Sequence, residues 1–297
     1  SANPAFTKVF GKTMVELGKK NEKVIAITAA MPTGTGLVDF AKEFPERFFD
    51  VGIAECHAGC FAAGLASEGQ KPYLTIYSTF LQRAYDALIH DIALQDLSVV
   101  VCIDRAGLVG NDGPTHHGMF DIAYLSTVPN FTMCAPKDGN ELRSMLHWTA
   151  DNDFPGSIAV RYPRDNVPTE MLKDVQPIEW GTWEKLTPDS EVAILTFGPM
   201  VYESLKAREI LMTSGIETSI INARFIKPFD YTMLNKIRNH YKTIITIEEA
   251  QLRGGFGESI GSYLLQSGWS GKFKTLGVED RFVTHGDREQ LIAEVGL

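Results

Sequence analysis

The sequence predicts an α/β protein of two domains, each a mostly parallel sheet flanked by helices. Three observations lead there. Short β-rich runs alternate with longer helical patterns, as in strand, crossover helix, strand units. A segment at 166–190, with Pro168, Pro177 and Pro188, breaks the alternation and reads as a linker. The 297 residues, 44% hydrophobic and 22% charged, suffice for one large core or two ordinary ones.

In order along the first half, strands are expected at 23–29, 48–52, 73–77, 98–104, 131–135 and 157–162. Helical patterns fall around them at 6–19, 56–67, 80–93, 120–126 and 139–150. Beyond the linker come strands at 191–197, 217–223, 243–248 and 274–278, separated by helical patterns at 200–214, 231–239 and 257–266. This divides the chain into domains at 1–180 and 181–297, with no sequence repeat relating them. Gly254-Gly255-Phe256-Gly257 follows a strand and opens a helix, yet lacks the spacing and Lys-Ser/Thr of a phosphate loop. A tight strand-to-helix turn accounts for it.

Composition excludes several classes of function. A net charge of −9 argues against nucleic-acid binding, while leaving room for local arginines to recognise a small anion. No apolar run is long enough for a membrane helix. The start, Ser1-Ala2-Asn3-Pro4-Ala5, lacks signal-peptide regions and suggests a trimmed tag ahead of an internal domain start. Cys56, Cys60, Cys102 and Cys134 show no framework spacing, which fits a reducing cytoplasm. Cys56-His57 and Cys60 invite a metal reading, but no second ligand pair accompanies them and small core residues explain them as well.

The chemistry concentrates at strand ends. Asp50-Val51-Gly52-Ile53-Ala54-Glu55 carries a short strand into a helix of small residues, which reads as a buried helix at a tight interface. Glu55 is then a desolvated carboxylate in need of a partner, or a charge complementing the helix dipole. Tyr77-Ser78-Thr79-Phe80-Leu81-Gln82-Arg83 sets two aromatics and an arginine after a strand; a plain helix start explains the hydroxyls but gives Arg83 no task. The run from Asp104 to Gly118 displays Arg105, Asp112, His116 and His117 on a glycine-rich loop. Adjacent histidines beside an aspartate offer proton transfer near neutral pH, which a structural loop does not require. Arg161 and Arg164 close the last strand of the half, and guanidinium forks suit phosphate or carboxylate.

These runs, with Ile27 to Leu37, resemble the 1-deoxy-D-xylulose-5-phosphate synthase family of the thiamin-diphosphate-dependent transketolase superfamily. The resemblance covers the whole chain but only the C-terminal half of the family's usual sequence, its pyrimidine-binding and transketolase C-terminal domains. It implies a transferase of isoprenoid precursor biosynthesis. Pyruvate loses carbon dioxide on the cofactor, and the two-carbon remainder adds to glyceraldehyde 3-phosphate. The family match of Glu55 hydrogen-bonds N1′ of the aminopyrimidine, so that its imino nitrogen removes the thiazolium proton; the match of Phe80 stacks on that ring. By the same carry-over Tyr77, Arg105, Asp112, His116 and Arg164 face the substrates. Arg105 and Arg164 are phosphate clamps, His116 a proton-transfer partner and Asp112 an orienting group. Arg83 orders the site without touching substrate, and His117 has no assigned role.

Two departures are visible. Cys56 stands where the family usually has glutamine, and no Gly-Asp-Gly motif followed by Asn is present to hold magnesium and diphosphate. No metal ligand is therefore assigned here. The N-terminal diphosphate-binding domain is the expected partner that supplies Mg2+ binding, and this chain by itself is expected to be inactive, cytoplasmic and homodimeric through an apolar face. Two further readings keep the fold: a C-terminal subunit of a split transketolase or a 2-oxo acid dehydrogenase beta subunit, and a non-catalytic regulatory or assembly subunit.

Overall fold

The computed structural model describes residues 3–297, so Ser1 and Ala2 of the N-terminal run lie outside the described residues. The first half supplies β1 (Val24–Thr28), β2 (Phe48–Asp50), β3 (Lys71–Tyr77), β4 (Val100–Asp104), β5 (Phe131–Cys134) and β6 (Ser157–Arg161). The second adds β7 (Glu184–Lys185), β8 (Val192–Thr196), β9 (Thr218–Asn222), β10 (Phe225–Lys227), β11 (Thr243–Gln251) and β12 (Lys272–Val278). They form two sheets, ordered β10-β5-β6-β4-β3-β1-β2 and β12-β11-β8-β9-β7. Every ladder is parallel except β10 on β5 and β7 on β9.

Helices on both faces explain why β1, β4 and β6 are buried at every residue. The helix Phe6–Lys20 turns Phe6, Phe10, Met14 and Leu17 to the core, one stripe at helical spacing. Phe10 stacks on Tyr162 with ring centroids 5.5 Å apart. The helix Gly139–Asp151 starts at Asp138, whose side chain accepts from Glu141 N. The Gly254-Gly255-Phe256-Gly257 turn holds no empty anion site, because Glu248 accepts from both Phe256 N and Gly257 N at 2.8 Å.

Four expectations need amendment. The pattern at 80–93 forms four short turns, α at Ser78–Leu81, 3-10 at Gln82–Ala84, α at Tyr85–Ala87 and π at Leu88–Ala93. They press on the helix Glu55–Ser67 at Gly59, where a Cβ would come 2.9 Å from that of Ala87. That helix is buried on one side only: Ala58, Ala62 and Ala63 face the core, while Cys56, Cys60 and Gly64 are open. The 166–190 segment is a linker only at 172–177, which is exposed. Beyond it Trp180 stacks on Trp148 at 3.8 Å, and buried Trp183 donates Nε1–H to Phe225 O at 2.8 Å. Finally, the sequence carries no signal for β7, β10 or the helices Val38–Glu43 and Arg288–Glu294, because elements of two to seven residues show too little periodicity.

Candidate active site

The chain leaves β1 for β2 on one side and later builds β3 and β4 on the other. Such a switch point opens a crevice at the carboxyl ends of the strands, where open α/β sheets take ligands. Because β1, β2, β3, β4 and β6 are mutually parallel, all the strand-end segments named from sequence share that edge. Asp50 ties two of them together, its Oδ1 accepting from Ala30 N at 2.7 Å and Gly52 N at 3.0 Å. Gly52 takes φ +73°, a conformation that suits glycine, and the chain enters the helix Glu55–Ser67 there.

Glu55 is buried at the first position of that helix. Its partner is Arg83, whose Nη1 donates to Oε1 at 2.8 Å; this is the carboxylate's one ion pair among the described residues. Among the described residues no group donates to the other oxygen. Arg83 also lies 5.2 Å over the Phe80 ring, which stacks on Tyr77 at 5.6 Å and meets His116 edge-on at 5.5 Å. Arg105 lies over the Tyr77 ring, with the guanidinium carbon 4.0 Å from the ring centroid. One continuous contact chain thus joins Glu55, Arg83, Phe80, His116, Tyr77 and Arg105.

Arg105 is a left-handed non-glycine residue, φ +58°, at the end of β4. Strained backbone of this kind collects at functional sites. Its guanidinium reaches the loop that follows β1, where Nη1 donates to Gly34 O at 2.6 Å and lies 3.0 Å from Asp104 Oδ1. Its Nε is a buried donor with no partner. Burial pushes the Asp104 carboxyl up to about 6, against the pull of Arg105 and of Thr7, whose hydroxyl donates to Oδ2 at 2.9 Å. Asp112 pairs with Arg164 at the open side. Burial raises the Tyr77 hydroxyl; Arg105 and Arg164 oppose that and Asp104 and Asp112 add to it, so both pairs lie within electrostatic reach.

Glu55, Tyr77, Phe80, Arg105 and His116 therefore converge, with Asp112 and Arg164 at the open side, and Arg83 has a definite contact in Glu55. Arg161 leaves the group: it is buried and bound through Nε to Asp121 Oδ2 at 2.9 Å. His117 turns away from His116 into the protein. The sequence pattern gives no signal for Thr7 and Gly34, which reach Asp104 and Arg105 across 97 and 71 residues. The exposed Cys60 thiol donates to Asp91 Oδ2 at 3.1 Å and is pushed up to about 11 by that carboxylate, far from a reactive thiolate. Among the described residues no three metal-type side chains cluster, and no helix is long and apolar enough to cross a membrane.

The first sheet with its strand-end crevice and the second, mostly parallel sheet correspond to two known domains. Residues 2–170 match the description "Transketolase, pyrimidine binding domain" and residues 181–297 "Transketolase, C-terminal domain". The chain belongs to the transketolase family, whose chemistry depends on thiamin diphosphate. Among its relatives is 1-deoxy-D-xylulose-5-phosphate synthase of Aquifex aeolicus, 52% identical over 300 residues, which cover all of this chain and 47% of that protein. Another is 1-deoxy-D-xylulose-5-phosphate synthase 1 of Geobacter sulfurreducens, 50% identical over 297 residues, 99% of this chain and 46% of that one. The chain spans about half the length of these relatives. A solved chain described as a split gene transketolase, in an inactive beta4 tetramer, superposes with a TM-score of 0.87 at 29% identity, covering 99% of this chain and 94% of that one. Transketolase of Campylobacter jejuni shares the fold, with a TM-score of 0.78 at 18% identity over 99% of this chain and 45% of that one.

Proposed function

We propose that this chain is the pyrimidine-binding and C-terminal part of a 1-deoxy-D-xylulose-5-phosphate synthase, which condenses pyruvate with glyceraldehyde 3-phosphate with loss of carbon dioxide. The observation that carries this reading is the buried Glu55 held by Arg83 beside Phe80 and His116, in a chain 52% identical along its whole length to 47% of such a synthase. Division at 180/181 fits: β1–β6 precede it and the whole second sheet follows, with β10 returning to the first.

The residues fit the aminopyrimidine end of thiamin diphosphate. Glu55 has one carboxylate oxygen fixed by Arg83 and the other available to a ring nitrogen, and the half-buried Phe80 offers an aromatic face. When bound, the cofactor supplies a carbon nucleophile and an electron sink. Around it Glu55 holds a proton shared with the ring, and low dielectric strengthens that bond. His116 moves a proton at a substrate oxygen, while Asp112 orients it and Tyr77 walls the pocket. Arg164, half-exposed at the open side, is the donor for the phosphate of glyceraldehyde 3-phosphate, and Arg105, the second arginine of the site, adds its positive charge. Magnesium and the diphosphate fall to the N-terminal diphosphate-binding domain, and the enzyme works in the cytoplasm. Ile53, 82% exposed beside Glu55, and the open Cys56, Cys60 and Gly64 side of its helix are the surface that this domain or a second copy covers.

A split-transketolase subunit is the second reading, favoured by the 94% coverage of such a chain. Mixing this chain with the N-terminal half of a synthase separates the two. Carbon dioxide release from pyruvate that requires glyceraldehyde 3-phosphate and thiamin diphosphate is the expected result. Transfer from a ketose phosphate instead overturns it. Glu55→Ala abolishes turnover; a loss under about tenfold, roughly 1.4 kcal/mol of barrier, removes Glu55 from its role.

A further inference from the structure

The two neighbouring histidines do opposite things. His116 lies against Phe80, whereas His117 is buried between the loop and the second half of the chain. Val109 N–H donates to His117 Nδ1 at 3.1 Å, so that nitrogen carries no proton. The other, Nε2, sits 2.9 Å from the Thr284 carbonyl, which can only accept. A single neutral tautomer satisfies both, and it ties the loop to a residue 167 positions away. Glu249 makes the second tie, its Oε1 accepting from Leu108 N at 2.7 Å while Arg288 holds Oε2. Gly107 at φ +80° admits it, for a Cβ there would lie 2.6 Å from that oxygen.

Topology points the same way. The second sheet has its own switch point between β8 and β11, the usual place for a ligand. There the small cavity beside Phe197, Gly198 and Glu249 is closed by Ala106 and Gly107 of the loop. Leu108 of the loop and Met119 just after it pack with Val278, Val283 and Leu291 in a separate apolar cluster.

We infer that His117 and Glu249 are positioning residues: they fasten the 105–118 loop to the C-terminal unit and thereby fix His116 and Asp112 at the crevice. The inference rests on the reading of His116 and Asp112 as substrate-facing groups. The C-terminal unit then acts on the site without contributing a group to it.

Nuclear magnetic resonance on this chain tests the fastening without a turnover assay. His117→Phe keeps the ring shape but removes both hydrogen bonds, while His117→Gln retains one acceptor and one donor. In H117F the Val109 amide, which loses its acceptor, should exchange at least about tenfold faster than in the unsubstituted chain and the His116 ring signals should shift; in H117Q both should stay close to the original. Glu249→Ala attacks the other tie and should move the His116 signals as H117F does, which decides the matter if H117F does not fold. Unchanged His116 signals in both H117F and E249A overturn the inference, as does failure of H117Q to restore them. With a synthase N-terminal half added, H117F should lower kcat at least about tenfold with the KM for thiamin diphosphate unchanged, and equal kcat in H117F and H117Q also overturns it. No turnover by the unsubstituted pair, with the magnetic resonance signals as expected, removes the functional reading and supports the fastening.

Discussion

Glu55 shows how one residue gathers its surroundings. Burying a carboxylate without a partner is costly, and the short turns after β3 bring Arg83 to 2.8 Å. Arg83 is itself 58% exposed, so solvent screens the pair and its value to folding is small; its value lies in aiming the carboxylate. Arg83→Met should therefore change the melting temperature little but cut turnover of the reconstituted enzyme at least about tenfold, or roughly 1.4 kcal/mol. A large fall in melting temperature with turnover kept would invert that assignment. Gly34 makes a complementary case. A Cβ there collides with the Tyr77 hydroxyl, and the Gly34 carbonyl receives Arg105. Gly34→Ala should push Tyr77 and Arg105 out of place and weaken phosphate-substrate binding, seen as a raised KM for glyceraldehyde 3-phosphate; an unchanged KM would detach Gly34 from the site.

At the scale of elements, the N-terminus of the helix Phe256–Gln266 is occupied by the chain's own Glu248. Burial pushes this carboxyl up to about 7 from 4.5, despite the two backbone N–H groups that favour its charge. Between those values the folded state holds more protons than the unfolded, so stability falls as pH rises from about 4.5 to about 7. The slope from one such group reaches at most about 1.4 kcal/mol per pH unit. Asp104, raised to about 6, adds a slope of the same sign. Urea unfolding at pH 5, 6 and 7 should show a shallower decline for Glu248→Gln than for the unsubstituted chain. Parallel declines would mean that Glu248 does not titrate in that range. The helix at the centre of the site was partly legible: 56–67 was expected from sequence and begins at Glu55. The turns from Ser78 to Ala93 were not, because their irregular path follows the close packing of Gly59 on Ala84 and Ala87 and not their own periodicity.

The whole molecule is held by exchanges between its halves. β10 leaves the second half to pair with β5, covering what would be an open sheet edge. Trp183 bonds to that strand, and Glu249 and His117 join the halves again beside the site. Cutting the chain within the exposed 172–177 stretch should leave two pieces that elute together on size exclusion. Separate elution would show that the crossing contacts are too weak to hold the halves without a covalent link.

Local sequence determined the alternation of strands and helices, and hence two parallel sheets with their loops at one edge. It also marked Glu55, Tyr77, Phe80, Arg105, Asp112, His116 and Arg164, because charged, aromatic and glycine-rich runs at strand ends have few structural reasons to exist there. Only the tertiary structure decided that Arg83 partners Glu55, that Arg161 belongs to Asp121, and that His117 faces inward. Those outcomes depend on which strands neighbour one another and on partners up to 167 residues apart. Periodicity reports the face of an element that is buried; it carries no information about what lies across the gap.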